Sequence, residues 1–445
     1  MDILSDIPSF GGVIGTILAF VVALSIIVAI HEYGHYIIGR LSGIHAEVFS
    51  LGFGPVLLSR RDKHGTKWQL AALPFGGFVK FLGDADAASG KDGEAIHQMD
   101  PAELRRTMHG APLWARAATV AAGPIFNFIL SIIVFAAVIG VRGIAVEPVT
   151  VADAVDLPAD LPVLEQGDVI LGVGGQETPD YAAFYAALDD LPVEDTVPYS
   201  VDRDGRAQTV EAVYPFPPLI SALQPDSAAM DAGLRVGDVI TAIDGTPITA
   251  FRELQSVVGE GDGAPLLLNV WRDGTEMDFT LAPRRVDLPS SEGGFETRWL
   301  IGITGGLAFT PATRAPNPAE AVWMGVKQTG FIIESSLSGL YHMITGAISS
   351  CNLRGPLGIA ETSGQAASQG ASSFIWFIAV LSTAVGLLNL FPIPVLDGGH
   401  LVFHAYEAVA GRPPSDRVLR VLMSIGLVLI LSLMVFGLTN DLFCP

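Results

Sequence analysis

Basic residues, cysteine and charge of either sign are scarce in this sequence. Only 25 of 445 residues are lysine or arginine against 46 aspartates and glutamates, a formal net charge of −21. A chain so acidic lacks the positive surface that releases counterions from a phosphate backbone, which excludes nucleic acid as a partner. Charged residues total 16%, below the roughly 25% of soluble domains, so a purely soluble protein is excluded too. Two cysteines, Cys351 and Cys444, cannot build a disulfide framework or a cysteine-based zinc module; any metal must be held by histidines and carboxylates. Apolar residues, by contrast, make up half of the chain, and the mean hydropathy is +0.47. The length suits two or three domains.

Val13 to Ile30 is an 18-residue run without a charge, long enough to cross most of a hydrocarbon core about 30 Å thick. A signal peptide is disfavoured, because Met1 to Phe10 offers Asp2 and Asp6 where a basic segment is needed. Further spans are expected over Ala117 to Val141, Phe374 to Phe391 and Val421 to Leu438. Ala319 to Ile348 has helical periodicity but carries Glu320, Lys327, Glu334 and His342, and reads as an interfacial helix. The lysines and arginines from Arg40 to Arg116, and Arg412, Arg417 and Arg420, orient the chain with those two connections cytoplasmic. Both termini and residues 143–330 then face the other side. That block alone holds 29 acids and 10 bases, so nearly all the negative charge sits in it.

Directly after the first apolar run stands His31-Glu32-Tyr33-Gly34-His35. On a helix, residues i and i+4 share a face, so both imidazoles can reach one Zn²⁺, with Glu32 beside a metal-bound water as general base. With 9 His and 18 Glu in the chain, this pattern arises by chance about 0.01 times per sequence, so two unrelated surface histidines are a weak alternative. A catalytic zinc needs a third protein ligand and an open position. The best candidate is Asp397, in the segment Asn389 to His400. There Pro392 and Pro394 stop a helix and Gly398 and Gly399 permit a tight turn. The charge-derived topology puts Asp397 on the same side as the two histidines. His400 and His404 form a competing i, i+4 pair that lacks an intervening glutamate.

Internal comparison shows a repeat. Leu164 to Ile170 matches Leu234 to Ile240 at an offset of 70, and Arg203-Asp204-Gly205 matches Arg272-Asp273-Gly274 at 69. Each copy has short strand-like runs with Asp-Gly or Gly-Gly turns and one helical segment, Tyr181 to Leu188 or Phe251 to Val258.

These residues carry a resemblance. His31-Glu32-x-x-His35 at the end of a first span, with Asn389-x-x-Pro392-x-Pro394-x-Leu396-Asp397-Gly398 near the last helices, resembles the site-2 protease family of intramembrane zinc metalloproteases. The tandem repeats resemble its bacterial RseP-type branch; Gly123 to Phe128 and Gly355 to Ala360 also resemble family segments. The resemblance implies one Zn²⁺ on His31, His35 and Asp397, Glu32 as the catalytic base, and Asn389 as a substrate-positioning residue. Pro225 to Leu234, followed by Gly237-Asp238-Val239-Ile240, resembles bacterial PDZ domains, which take up extended peptides by strand addition. The first copy departs from that pattern at Leu157 to Pro162, and folded spacers remain an alternative for both. Phe49 to Leu82 reads as strands around the turn Arg60 to Gly65. By the family likeness it is a β-element dipping into the membrane, with a surface hairpin as the alternative.

The expected architecture is a polytopic α-helical membrane protein with four transmembrane helices, a membrane-associated β-structured loop and two tandem α+β PDZ-like domains. Its parts are the first span with the zinc motif (1–36), a re-entrant β region (37–116), the second span (117–142), PDZ-like domains at 143–215 and 216–288, and a connecting region with the interfacial helix (289–371). The third span follows (372–400), then a cytoplasmic loop (401–420) and the fourth span (421–440). The resemblance implies regulated intramembrane proteolysis in a bacterial inner membrane. The expected partners are the lipid bilayer and single-span transmembrane substrates already trimmed outside, such as anti-sigma factors or signal-peptide remnants. Gly76, Gly77 and Phe78 would hold a substrate strand, and Asn127 and Asn389 would compete for its freed backbone groups. A metal-binding scaffold or transporter with recruitment modules is the alternative, and it leaves Glu32 without a role.

Overall fold

The computed structural model describes residues 12–85, 93–158, 161–289 and 295–444. Expectations resting on Met1 to Phe10, on Lys91 and on Ala159 and Asp160 of the Leu157 to Pro162 departure lie outside the described residues. The chain divides into two compact units: 1–138 with 318–341 and 350–445, and 139–317 with 342–349.

The first unit opens with helix α1 (Val13–Leu41), 29 residues that run through the apolar stretch and on through the His31 to His35 motif. At 1.5 Å per residue it is about 44 Å long, more than a hydrocarbon core. A β-hairpin follows, β1 (Ala46–Arg61) and β2 (Lys67–Phe81). Residues 46–51 pair with 77–81, Phe49 opposite Val79 and Leu51 opposite Gly77, and 48–51 also lie beside 67–70, Phe49 opposite Trp68. Phe49 stacks on Trp68 at 4.3 Å between centroids, and Tyr36 of α1 meets both rings edge-on. Four hydrogen bonds to Asp62 close the turn: Tyr36 Oη and Trp68 Nε1 each donate at 3.1 Å, and the amides of His64 and Thr66 at 2.8 and 3.0 Å. Helix α2 (Leu113–Arg142) is the second long apolar element.

The second unit holds two α+β modules. In the first, β3 (Val151–Ala154) precedes β4 (Val169–Val173), helix α3 (Tyr181–Asp190), β5 (Thr196–Arg203) and β6 (Arg206–Val213). In the second, β7 (Ile220–Leu223) precedes β8 (Val239–Ile243), helix α4 (Phe251–Glu260), β9 (Leu266–Arg272) and β10 (Thr275–Leu281). The sheets have matching orders, 176–177 beside β4, β5 and β6, and 246–247 beside β8, β9 and β10. The sequence repeat is a repeated ion pair. Arg203 Nε meets Asp168 Oδ1 at 2.7 Å and Arg272 Nε meets Asp238 Oδ1 at 2.6 Å, each aspartate also accepting the amide of the residue three before it. Segment 295–317, assigned from sequence to a connecting region, pairs back into both modules: β11 (Ile303–Gly305) on β7 and β12 (Phe309–Pro311) on β3. The first module thus closes only after the second is complete, with Leu307 and Phe309 in its core. Arg252 of α4 caps α3, donating to the carbonyls of Leu188, Asp189 and Leu191.

The chain returns to the first unit with α5 (Pro318–Ile344), α6 (Pro356–Ser368), α7 (Ala371–Asn389), α8 (Asp397–Ala410) and α9 (Asp416–Phe443). Among the described residues, α1, α2, α7 and α9 are long and apolar enough to cross a membrane, and α5 is not among these. Helix α5 buries Ala321, Gly325 and Thr329, a small residue every fourth position, and Gly325 lies against the Ile132 carbonyl of α2. Ala23 and Ile27 of α1 pack with Ile378 of α7. Cys351 and Cys444 form a disulfide, so the two cysteines too few for a framework make a single bond. Beside it Asn440 donates to the carbonyls of Ser350 and Leu353, and Asp441 accepts the amides of Gly355 and Leu357.

Candidate active site

Helix α1 presents His31 and His35 on one face, one turn apart, as the i, i+4 spacing requires. Gly34 and Gly123 let α2 approach that face. A Cβ at Gly34 would stand 2.5 Å from the Ala122 carbonyl oxygen, and one at Gly123 would overlap the His35 ring. Asp397 is brought in by the turn after α7. Pro392 and Pro394 interrupt the helix, and Asp397 opens α8. Gly398 and Gly399 are required there for space: a Cβ on either would collide with the backbone carbonyls of Leu390, Phe391 and Ile393. Arg116 of α2 grips Glu407 of α8 with a two-pronged pair at 2.6 and 3.0 Å, fixing the helix that carries Asp397 and holding the Glu407 carboxyl below its usual range.

The result is a tight triangle of ligand atoms. His31 Nε2 lies 3.1 Å from Asp397 Oδ2, His35 Nε2 lies 3.5 Å from the same oxygen, and the two nitrogens are 3.2 Å apart. A tetrahedral zinc with ligands at about 2.0–2.2 Å spaces its ligand atoms about 3.3–3.6 Å apart, close to the edges of this triangle. The side chains are 12, 13 and 18% exposed. Asp397 Oδ2 is buried and faces only the two imidazole nitrogens, a donor set that suits a bound cation. His35 Nδ1 donates to the Thr119 carbonyl at 2.8 Å, which leaves its Nε2 lone pair directed at the triangle. Among the described residues this is the one group of three metal-binding side chains; His400 and His404 are not brought to a third ligand.

Glu32 lies beside the cluster, and the backbone amide of Val79 in β2 faces its carboxylate. Gly77 is packed between Glu32 and the neighbouring strand: a Cβ there would sit 2.8 Å from the Ser50 carbonyl, 2.9 Å from Val28 and 3.1 Å from Glu32 Cγ. Gly76 adopts φ +138, and Phe78 stacks on Phe53 at 5.9 Å. Asn389 ends α7, its amide donating to the Val385 carbonyl within the same helix. Asn127 is fully buried in α2 with Nδ2 3.2 Å from His31 Nδ1. Sequence reasoning did not find Thr119, whose contribution is a backbone carbonyl and leaves no signature in residue type. Gly123 lies in the segment Gly123 to Phe128 that resembles the family, and that resemblance is the signal the sequence carries.

A chain with four membrane-length helices that carries two histidines, a carboxylate and an adjacent glutamate in this geometry belongs to the class of membrane metallohydrolases. Comparison with known proteins refines the class. Residues 19–433 match peptidase family M50. A protein named a zinc metalloprotease in Agrobacterium fabrum is 36% identical over 433 residues, covering 97% of each chain. One so named in Brucella suis is 34% identical over 431 residues, 97% of this chain and 96% of the relative. The regulator of sigma-E protease RseP of Salmonella typhimurium is 32% identical over 454 aligned positions, 95% of this chain and 97% of the relative. This chain therefore belongs to peptidase family M50, the site-2 protease family, and is a membrane-embedded zinc metalloprotease.

Proposed function

We propose that the chain hydrolyses peptide bonds inside transmembrane segments of single-span proteins already trimmed outside the membrane, with His31, His35 and Asp397 as zinc ligands and Glu32 as the base. The observation that carries this is the triangle of ligand atoms with 3.1–3.5 Å edges beside Glu32, on the last turns of an apolar helix. A zinc ion held by His31, His35 and Asp397 would lower the pKa of its bound water toward about 7 and polarise the scissile carbonyl. Glu32 takes the water's proton and returns it to the leaving amine. The Val79 amide keeps the Glu32 carboxylate oriented for both transfers.

A peptide carbonyl within a helix is masked by its own i to i−4 hydrogen bond, so the substrate helix opens before attack. The stretch from Gly76 to Val79 pairs with 49–51 on one side and approaches Glu32 on the other, which supports pairing of an extended substrate there. Asn389, eight residues before Asp397, is assigned to the freed substrate backbone.

The two α+β modules act as PDZ-like size filters that admit trimmed substrates. In support, the second carries a groove of about 470 Å³ between α4 and residues 297–303, lined by Phe251, Leu254, Val258, Leu300, Ile301 and Ile303. The lysine and arginine asymmetry supports an inner-membrane orientation with the modules and both termini outside. The Cys351 to Cys444 disulfide supports the same orientation, since such bonds persist in oxidising compartments. The RseP relative's name speaks of sigma-E regulation, and an anti-sigma factor is the substrate class we assign to this chain.

The test is cleavage in proteoliposomes of a single-span substrate with and without its folded ectodomain. Chelator-sensitive cleavage of the trimmed form alone is expected. Equal cleavage of both forms would remove the filter, and no cleavage of either by zinc-loaded protein would remove the reading.

A further inference from the structure

The two histidines of the triangle are held by unlike outer partners. His35 Nδ1 donates to a backbone carbonyl, that of Thr119, which no side-chain change removes. His31 Nδ1 faces a side chain, the Asn127 amide, at 3.2 Å. A fully buried amide in an apolar helix is costly and asks for a reason beyond packing. Its Oδ1 is buried without a hydrogen-bond partner.

An amide exchanges Oδ1 and Nδ2 by a half-turn about its last torsion. With Nδ2 toward the ring, His31 must keep its proton on Nε2, aimed at Asp397 Oδ2, and that ring cannot bind a metal. With Oδ1 toward the ring, Nδ1–H donates to it and the Nε2 lone pair faces the triangle, the arrangement Thr119 already imposes on His35. We propose that Asn127 is the positioning residue that fixes His31 in its metal-binding tautomer, its side-chain oxygen accepting the Nδ1 proton. This rests on the reading of His31 as a zinc ligand.

The surroundings hold Asn127 for that role. Its backbone carbonyl accepts Ser131 Oγ at 3.0 Å and Ser382 Oγ at 2.9 Å, so α2 and α7 are tied at this residue. Gly386 leaves room for the close approach: a Cβ there would stand 3.1 Å from Asn127 Cβ. Both bonds use the backbone and leave the amide free to serve the ring. Outer partners of this kind are worth about 10–100-fold in metal affinity.

The experiment measures zinc affinity of the full-length protein in detergent by chelator competition, with metal-free thermal stability recorded alongside. Asn127→Leu, close in size and without an acceptor, and Asn127→Ser, too short to reach Nδ1, are expected to bind zinc about 10–100-fold more weakly. Asn127→Asp, whose carboxylate accepts the same proton, is expected to stay within a few-fold of wild type. Wild-type affinity in both Leu and Ser variants would overturn the proposal, as would an Asp variant as weak as Leu. If Leu does not fold, Ser and Asp decide. His31→Ala separates this from the ligand reading: it should lose more affinity than any Asn127 variant, and wild-type affinity there would instead refute His31 as a ligand.

Discussion

Asp397 Oδ2 stands 3.1 Å from His31 Nε2, although the two residues are 366 positions apart in the chain. A helix end, a two-proline turn and a pair of glycines bring them together, and the contact closes the triangle. Asp397→Ala is therefore expected to weaken zinc binding more than about 100-fold, beyond the loss of any outer partner. Metal analysis after gel filtration checks this; full occupancy would reassign the third ligand to His400.

Gly77 has no room for a side chain, and one of its three neighbours is the Ser50 carbonyl, which cannot move aside. Gly77→Val should push β2 from Glu32 at a cost of about 1–3 kcal/mol in strain. Cleavage is expected to fall while zinc content is unchanged, measured on the same preparation.

Asp238 is 1% exposed and Asp168 fully buried, each held by one arginine. Arg272→Met or Arg203→Met leaves a buried carboxylate without its cation, a loss of about 3–5 kcal/mol. Denaturant unfolding should show it for each module, whereas exchange of an exposed arginine such as Arg298 should change little.

The Asp62 carboxyl is pulled down to about 2: burial works against this and is outweighed by the donors Trp68, His64, Tyr36 and Thr66. Its folded pKa lies below the free value of 3.8, so its contribution is fully present above pH about 4 and is lost as pH falls toward 2. Fluorescence of Trp68, taken as the difference from Trp68→Phe, should hold steady from neutral pH to about 4 and change below it. In Asp62→Asn that acid transition should vanish.

Local pattern made much of this legible. Long uncharged runs announce α1, α2, α7 and α9, because a bilayer sets the length that a helix must have. The His31 to His35 spacing and the helix-stopping prolines before Asp397 point at one place for the same reason, since both follow from helix geometry. Pairing between distant segments was not legible. Nothing in Ile303 to Pro311 says that it completes two earlier modules, because strand partners are chosen by the whole fold. The disulfide depended on the last turn of α9 meeting the segment before α6, and Asn127, read from the sequence as a partner for the substrate backbone, lies beside His31.

Glu32 is proposed to move the proton at a metal held by His31, His35 and Asp397. Glu32→Gln keeps the shape of the side chain and removes its basicity, and both can be followed in one preparation by cleavage of a transmembrane substrate and by zinc content. Abolished cleavage with zinc retained is the expected result; cleavage at the wild-type rate would refute this role for Glu32.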